Sequence, residues 1–253
     1  MEDFGDFGKN KRSYMIGRRG YPEPVFYFLK VHANLREPVL DLGCGTGIAT
    51  RQLVLYGFED VQAVDYDPEM LEVAREYEHY KGIHYWHQEA ASMTFRTRFF
   101  QLVTCFSSFH WFMDEDSITE IKRVLKKGGC LAVINKEDIS EFRGEIKEAI
   151  EKYLGQEFPK IAQMPEISER LKEFGFTVES PKAFEAEDLY SLQEATEYIK
   201  STSFWAAIPE DKKVEILDNI VVPLLEKRIE ISKEKKGRIS RRYQSNCLAA
   251  IKP

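Results

Sequence analysis

No apolar run in the chain approaches the eighteen or so residues that a membrane-spanning helix needs, and the stretch MEDFGDFGKNKRSY is charged, without the apolar core of a signal peptide. A soluble, cytoplasmic protein without a membrane partner is the expectation. Cysteine is scarce: Cys44, Cys105, Cys130 and Cys247 are the whole complement, and none shares a CxxC spacing. That argues against a disulfide framework or a zinc ribbon and leaves small buried thiols in a reducing compartment. Basic residues are not in excess: 36 Lys and Arg stand against 42 Asp and Glu, for a formal net charge of -6. A broad electrostatic footprint is missing, so no nucleic-acid partner is expected. No internal repeat or low-complexity tract appears.

What the chain does have is length and apolar material, 253 residues of which 43% are hydrophobic and 13% aromatic. That suffices for one main core, with a small cap, and no staples. From residue 36 onward short apolar runs alternate with helical patterns. PVLDLG (38 to 43) predicts a strand; Ile48, Ala49, Leu53 and Val54 recur at helical spacing after it. VQAVDY (61 to 66) predicts the next strand, and Asp67 and Pro68 then open a helix whose face is Met70, Leu71, Ala74 and Tyr77. IHYWHQEA (83 to 90), FQLVTCF (100 to 106) and CLAVIN (130 to 135) supply three further strands. Between the last two, Ile118, Ile121, Val124 and Leu125 form a helix that Gly128 and Gly129 are expected to stop. Such alternation demands a Rossmann-like, doubly wound, mostly parallel α/β sheet, with ligands beyond the carboxyl ends of its strands. Later segments read as helices at 141–154, 166–174, 188–200 and 210–235. Strand patterns at 175–188 and in RRYQSNCLAAIKP suggest an antiparallel edge pair. The expected plan is a single domain, with a core of 36–186 and 237–253 under a helical cap made of 1–35 and 187–236. The basic run KEKKGRISRR (233 to 242) reads as a solvated approach to the last strand.

DLGCGTG (41 to 47) places Gly43, Gly45 and Gly47 between a strand and a helix, where bare backbone and free N–H groups can meet a polar ligand. A dinucleotide fingerprint needs a third glycine where this chain has Ile48, which weakens a nicotinamide reading. Asp41 beside the loop suits a ligand with an ammonium group. Asp65, about twenty residues on, suits a pair of ribose hydroxyls. Glu89 and Ala90 follow the third strand, where a base would lie.

Together these residues resemble the class I S-adenosylmethionine-dependent methyltransferases. VLDLGCGTG, AVDYDPEMLEVAR, HQEAASMTF and RVLKKGGCLAV are similar to four successive motifs of that family, in order, over roughly residues 14 to 135. FHWF (109 to 112), with RRGYP upstream, further resembles a small-molecule group that includes trans-aconitate methyltransferase. The chain departs from the family pattern at Gln88 and Glu89, where Gly and Asp are usual, and at Arg19, where Pro is frequent. The resemblance implies S-adenosylmethionine as cofactor. It implies a seven-stranded sheet, and a cofactor held by Tyr14, Arg18, Asp41, Gly43, Cys44, Gly45, Asp65, Tyr66, Met70, Glu89, Ala90, Phe106 and Ser107. It also implies a small-molecule acceptor with a carboxylate or hydroxyl oxygen, bordered by Tyr21, Phe109 and Trp111. Phe204 and Trp205, aromatic residues of the expected cap, are further candidates to border the acceptor or, alternatively, form the cap's own small core.

VTCFSSFHWF puts rings where a loop should be polar. As a group they suit a floor that excludes water and favours a sulfonium cation; singly, each could equally pack a helix. His110 is the candidate base for a hydroxyl or amine acceptor, while a carboxylate acceptor needs none. His79, His84 and His87 match no metal spacing, and no metal is expected. Two rival readings are a methyltransferase for nucleic acid or protein, disfavoured by CFSSFHWF after the fourth strand, and a non-catalytic cofactor-binding subunit, since intact glycines and acids show binding but not turnover.

Overall fold

The computed structural model describes residues 11–76, 80–231 and 237–253; Tyr77, His79 and residues 233–236 lie outside the described residues. The expected strands form as β1 (Val39–Leu42), β2 (Val61–Asp65), β3 (Ile83–His87), β4 (Phe100–Phe106) and β5 (Leu125–Asp138), followed by β6 (Thr177–Val178), β7 (Lys182–Tyr190) and β8 (Ile239–Ile251). Their order is β3-β2-β1-β4-β5-β8-β6, parallel from β3 to β5 and antiparallel where Thr177 faces Ile251. β7 pairs with β8 off this path, an eighth strand beside the expected seven.

The helices are α1 (Lys11–Gly17), α2 (Glu23–Val31), α3 (Ile48–Leu55), α4 (Pro68–Arg75), α5 (Glu115–Val124), α6 (Phe142–Leu154), α7 (Met164–Glu173), α8 (Leu192–Lys200), α9 (Ser203–Ala206), α10 (Glu210–Ile216) and α11 (Val222–Ile231). Asp67 caps α4 by accepting the Glu69 and Met70 N–H groups, and Pro68 takes the first turn, where its missing N–H costs nothing. Parallel strands need both faces covered. Ile118 and Ile121 of α5 with Ile167 and Leu171 of α7 close one face, and Phe26 and Leu29 of α2 with Ala49 and Leu53 of α3 close the other.

Three expectations are corrected. The glycines after α5 do not stop it: the helix ends at Val124, Leu125 is already extended at φ -69 and ψ 139, and Gly128 and Gly129 lie inside β5. Leu125 pairs with Phe100 but Cys130 pairs with Leu102, so the intervening residues bulge, with Gly128 at φ 71. The helix expected from 188 begins at Leu192, because residues 188–190 finish β7. The long helix expected over 210–235 contains a π turn at Leu217–Val221, next to Pro223, which has no N–H for the regular ladder.

The chain forms two compact units. Of the described residues, the sheet unit holds 20–76, 80–136, 161–184 and 245–253; the second holds 11–19, 137–160, 185–231 and 237–244. Residues 20–35 therefore stand with the sheet, since α2 buries Val25, Phe26, Phe28 and Leu29 in its core. The second unit has a core of its own, built from Phe142, Ile146, Tyr190, Tyr198, Phe204 and Trp205 among others. Phe204 and Trp205, expected to border an acceptor, are 6% and 3% exposed and pack in that core instead.

Candidate active site

The site is built on the sheet unit, at the carboxyl ends of β1, β2 and β4. After Leu42 the chain turns through Gly43 and Gly45 at φ 71 and 54, a region that only glycine enters cheaply. The Gly43 and Cys44 N–H groups are spent on the Val64 carbonyl, at 2.8 and 3.0 Å. A Cβ at Gly43 would fall 2.5 Å from that of Ser108, and one at Gly47 would fall 2.6 Å from the Tyr85 hydroxyl. A Cβ at Gly45 would meet nothing within 4 Å, so of these glycines only Gly45 opens onto free space. Beside it Thr46 Oγ1 is buried without a hydrogen-bond partner among the described residues. Burial pushes the Cys44 thiol well above its ordinary value, which leaves it a protonated neighbour of the loop.

Two acids flank the opening. Asp65 takes the Gly45 N–H on Oδ2 at 2.6 Å and the Asp67 N–H on Oδ1 at 3.0 Å, so it shapes the loop before it meets any ligand. Each oxygen keeps a further lone pair for a hydroxyl. Burial raises the Asp65 carboxyl, against the lowering effect of these N–H bonds. Asp41 is 1% exposed and accepts from the Thr50 hydroxyl at 2.6 Å and the Thr104 hydroxyl at 3.2 Å. Burial nevertheless pushes its carboxyl up to about 7. A buried acid in this state favours a cationic neighbour. Thr50 and Thr104 were not singled out from the sequence; their spacing is that of ordinary helix and strand residues.

At the end of β3 the chain makes a small turn, Glu89 pairing with Ser92 as an isolated bridge. Gln88 closes it by exchanging two hydrogen bonds with Thr94, at 2.8 and 2.9 Å. Glu89 is exposed, and Ala90 packs against the core. Tyr66 is 56% exposed, whereas Met70, expected beside it, is 3% exposed.

After β4 the geometry changes. Ser107 holds φ 53, uncommon for a residue with a side chain, and its hydroxyl lies 2.9 Å from that of Tyr21. The Tyr21 ring meets Phe106 at a tilt of 53°, 4.7 Å between centroids, and lies under the Lys136 ammonium, which donates to the Gly20 carbonyl at 2.7 Å. Gln52 pins the same segment: its side-chain carbonyl accepts the Tyr21 N–H at 2.8 Å and its amide donates to the Tyr21 carbonyl at 2.9 Å. Ser108 donates to the Leu42 carbonyl at 2.8 Å, tying the turn to the glycine loop. Phe106 and Phe109, expected to face ligands, are 8% and 0% exposed and belong to the cores on the two faces of the sheet. Phe109 is corrected to a packing residue; the single-ring reading prevails because its ring meets Phe112 edge-on at 5.8 Å inside the apolar cluster. Trp111, by contrast, is 43% exposed. His110 is half-buried, its Nδ1 has no partner among the described residues, and burial lowers its conjugate acid to about 4.

Tyr14 and Arg18 belong to the second unit. There Arg18 donates to the Ser201 hydroxyl at 2.9 Å and the Ser201 carbonyl at 2.7 Å, stacked over the Tyr14 and Tyr198 rings. Arg19, which stands where the resembled family often has Pro, pairs with Glu194 at 2.6 Å.

Comparison with known proteins agrees with this geometry. A family model described as a methyltransferase domain matches residues 40–133, from β1 into β5. An uncharacterized methyltransferase of Schizosaccharomyces pombe is 27% identical over 82% of this chain and 84% of its own length. The malonyl-[acyl-carrier protein] O-methyltransferase of Acetivibrio thermocellus is 25% identical over 78% of this chain and 75% of its own. Among solved structures, a phosphoethanolamine N-methyltransferase 2 from Haemonchus contortus, in complex with phosphomonomethylethanolamine and S-adenosylhomocysteine, superposes with a TM-score of 0.59. It is 20% identical, covering 100% of this chain and 61% of that one, a likeness of fold. An open glycine cradle with a buried unpartnered hydroxyl, one acid aimed at hydroxyls and another suited to a cation, fits the adenosyl cofactor of such proteins.

Proposed function

We propose that this chain, an S-adenosylmethionine-dependent methyltransferase, methylates an oxygen of a small, soluble acceptor in the cytoplasm, a carboxylate ahead of a hydroxyl. The state of His110 carries this reading. With its conjugate acid near 4, the imidazole is neutral at pH 7 and a weak base. An alcohol oxygen has to lose a proton during transfer; a carboxylate offers its lone pair as it stands. The relative named as a malonyl-[acyl-carrier protein] O-methyltransferase supports oxygen as the acceptor atom, and the FHWF likeness to small-molecule enzymes supports a small acceptor. The four cysteines are free thiols, in keeping with a reducing compartment. No helix among the described residues is long and apolar enough to cross a membrane.

When bound, S-adenosylmethionine supplies an electrophilic methyl group on a sulfonium sulfur. Asp65 would accept from its ribose hydroxyls, Gly45 would admit it to bare backbone, and Asp41 would lie toward its positive end, drawn back to the ionised form. The Ser107–Tyr21 hydroxyl pair and Trp111 would border the acceptor, so that the chain contributes mainly alignment and exclusion of water.

The test is a turnover assay on carboxylate, hydroxyl and amine acceptors, with products treated in mild alkali. Methyl esters, which release methanol under those conditions, are expected. Stable methyl ethers or amines as the sole products would overturn the carboxylate assignment.

A further inference from the structure

Asn135 ends the apolar part of β5, one residue past Ile134, which pairs with Phe106 and accepts the Ser107 N–H at 2.7 Å. Strand alternation puts its side chain on the face of Leu131 and Val133, the face into which Phe109 packs. There Asn135 Oδ1 is buried and has no hydrogen-bond partner among the described residues. In the turn that leaves β4, on the neighbouring strand, His110 Nδ1 is in the same condition. Packing does not account for two such atoms, because an apolar side chain at either place would suit the core better. Both stand at the carboxyl ends of adjacent parallel strands, the part of such a sheet that receives ligands.

We propose that Asn135 and His110 together grip the carboxylate that accepts the methyl group, a role for Asn135 that rests on the carboxylate reading above. An amide can turn about its last bond, presenting an Nδ2–H where Oδ1 now stands, and a neutral imidazole can carry its proton on Nδ1. Two neutral donors orient an anion without cancelling its charge, so the attacking oxygen stays nucleophilic. A lysine or arginine in the same place would hold it more tightly and blunt it. The arrangement also selects against amines, whose ammonium form finds no anion at this pair.

The experiment compares the wild-type protein with Asn135→Asp and Asn135→Leu, measuring KM and kcat for the best carboxylate acceptor and Kd for S-adenosylmethionine by calorimetry. Asn135→Asp keeps the shape and adds a repelling charge, so KM should rise about tenfold or more, and Asn135→Leu, which deletes both polar atoms, should raise it several-fold. Cofactor Kd should stay within about twofold in both, which also shows that they fold. Unchanged KM in both variants overturns the proposal, as does a cofactor Kd weakened in step with KM, since Asn135 would then serve the cofactor. If Asn135→Asp fails to fold, Asn135→Leu decides alone. Failure of the carboxylate reading looks different: the wild type then esterifies no carboxylate, and the inference falls with its premise.

Discussion

After β1 the chain turns through glycines that are closed in on the side of Ser108 and Tyr85 and open at Gly45; after β4 it turns through Ser107 at φ 53 and drives Phe109 fully into the core. The strands are neighbours in one sheet, and the Ser108 hydroxyl joins the two turns through the Leu42 carbonyl. The first turn holds its shape through its own N–H groups, which bond the Val64 carbonyl and the Asp65 carboxylate and leave Gly45 open. The second holds its shape by side-chain burial, and beside the buried ring it presents a half-buried His110 and an exposed Trp111. A turn that binds an invariant cofactor can be made of backbone; one that meets the acceptor needs side chains and an anchor for them.

If that contrast is right, damage to the two turns should differ in kind. Phe109→Ala should cost about 3–5 kcal/mol of stability, read by urea unfolding, with a smaller effect on cofactor Kd, because it empties the anchor. Gly43→Ala should cost roughly 2–4 kcal/mol, from a strained φ plus a Cβ 2.5 Å from Ser108. Gly45→Ala should cost only about 1 kcal/mol in thermal unfolding yet weaken cofactor binding, since its Cβ enters empty space. Equal losses for the two glycine variants would erase the distinction between a closed and an open position. Asp65→Ala should weaken S-adenosylmethionine by about 10- to 100-fold in calorimetry, through lost hydroxyl acceptors and a loosened Gly45 N–H.

The most specific effect is one of pH. Asp41 has its folded pKa raised, from 3.8 to about 7, so the unfolded chain ionises first and stability is lost as pH rises through that window. Asp41→Asn should therefore stabilise the cofactor-free protein by roughly 1–2 kcal/mol at pH 8 and have little effect at pH 4, while weakening the cofactor. A pH-independent gain in denaturation midpoints would remove Asp41 from the electrostatic account.

How far the sequence could be read follows from the same contrast. Gly43, Gly45, Asp65 and the Asp67 cap were legible because backbone geometry demands particular residue types at fixed spacing. The parallel strands and the antiparallel edge followed from alternation of short apolar runs, whereas their order in the sheet came only with the structure. Phe106 and Phe109 were misread toward a ligand because a ring at a strand end looks alike whether it lines a pocket or fills a core. Asn135, Gln52, Thr50 and Thr104 were not legible: Gln52 and Thr104 act on residues 31 and 63 positions away, Thr50 reaches from a helix back to Asp41, Asn135 Oδ1 has no partner among the described residues, and one polar residue in a helix or strand carries no local signal. The bulge at Gly128 was read as a helix stop because glycine marks both.

The Gln52 clamp has a consequence for inheritance. A Cβ at Gly20 would fall 2.5 Å from Gln52 Oε1, the atom that accepts the Tyr21 N–H. Any lineage that enlarges position 20 must displace that side chain and release Tyr21 from its tether, so positions 20 and 52 should change in concert or not at all. A drift experiment that randomises Gly20 and collects active survivors should find its tolerated replacements accompanied by shorter residues at 52.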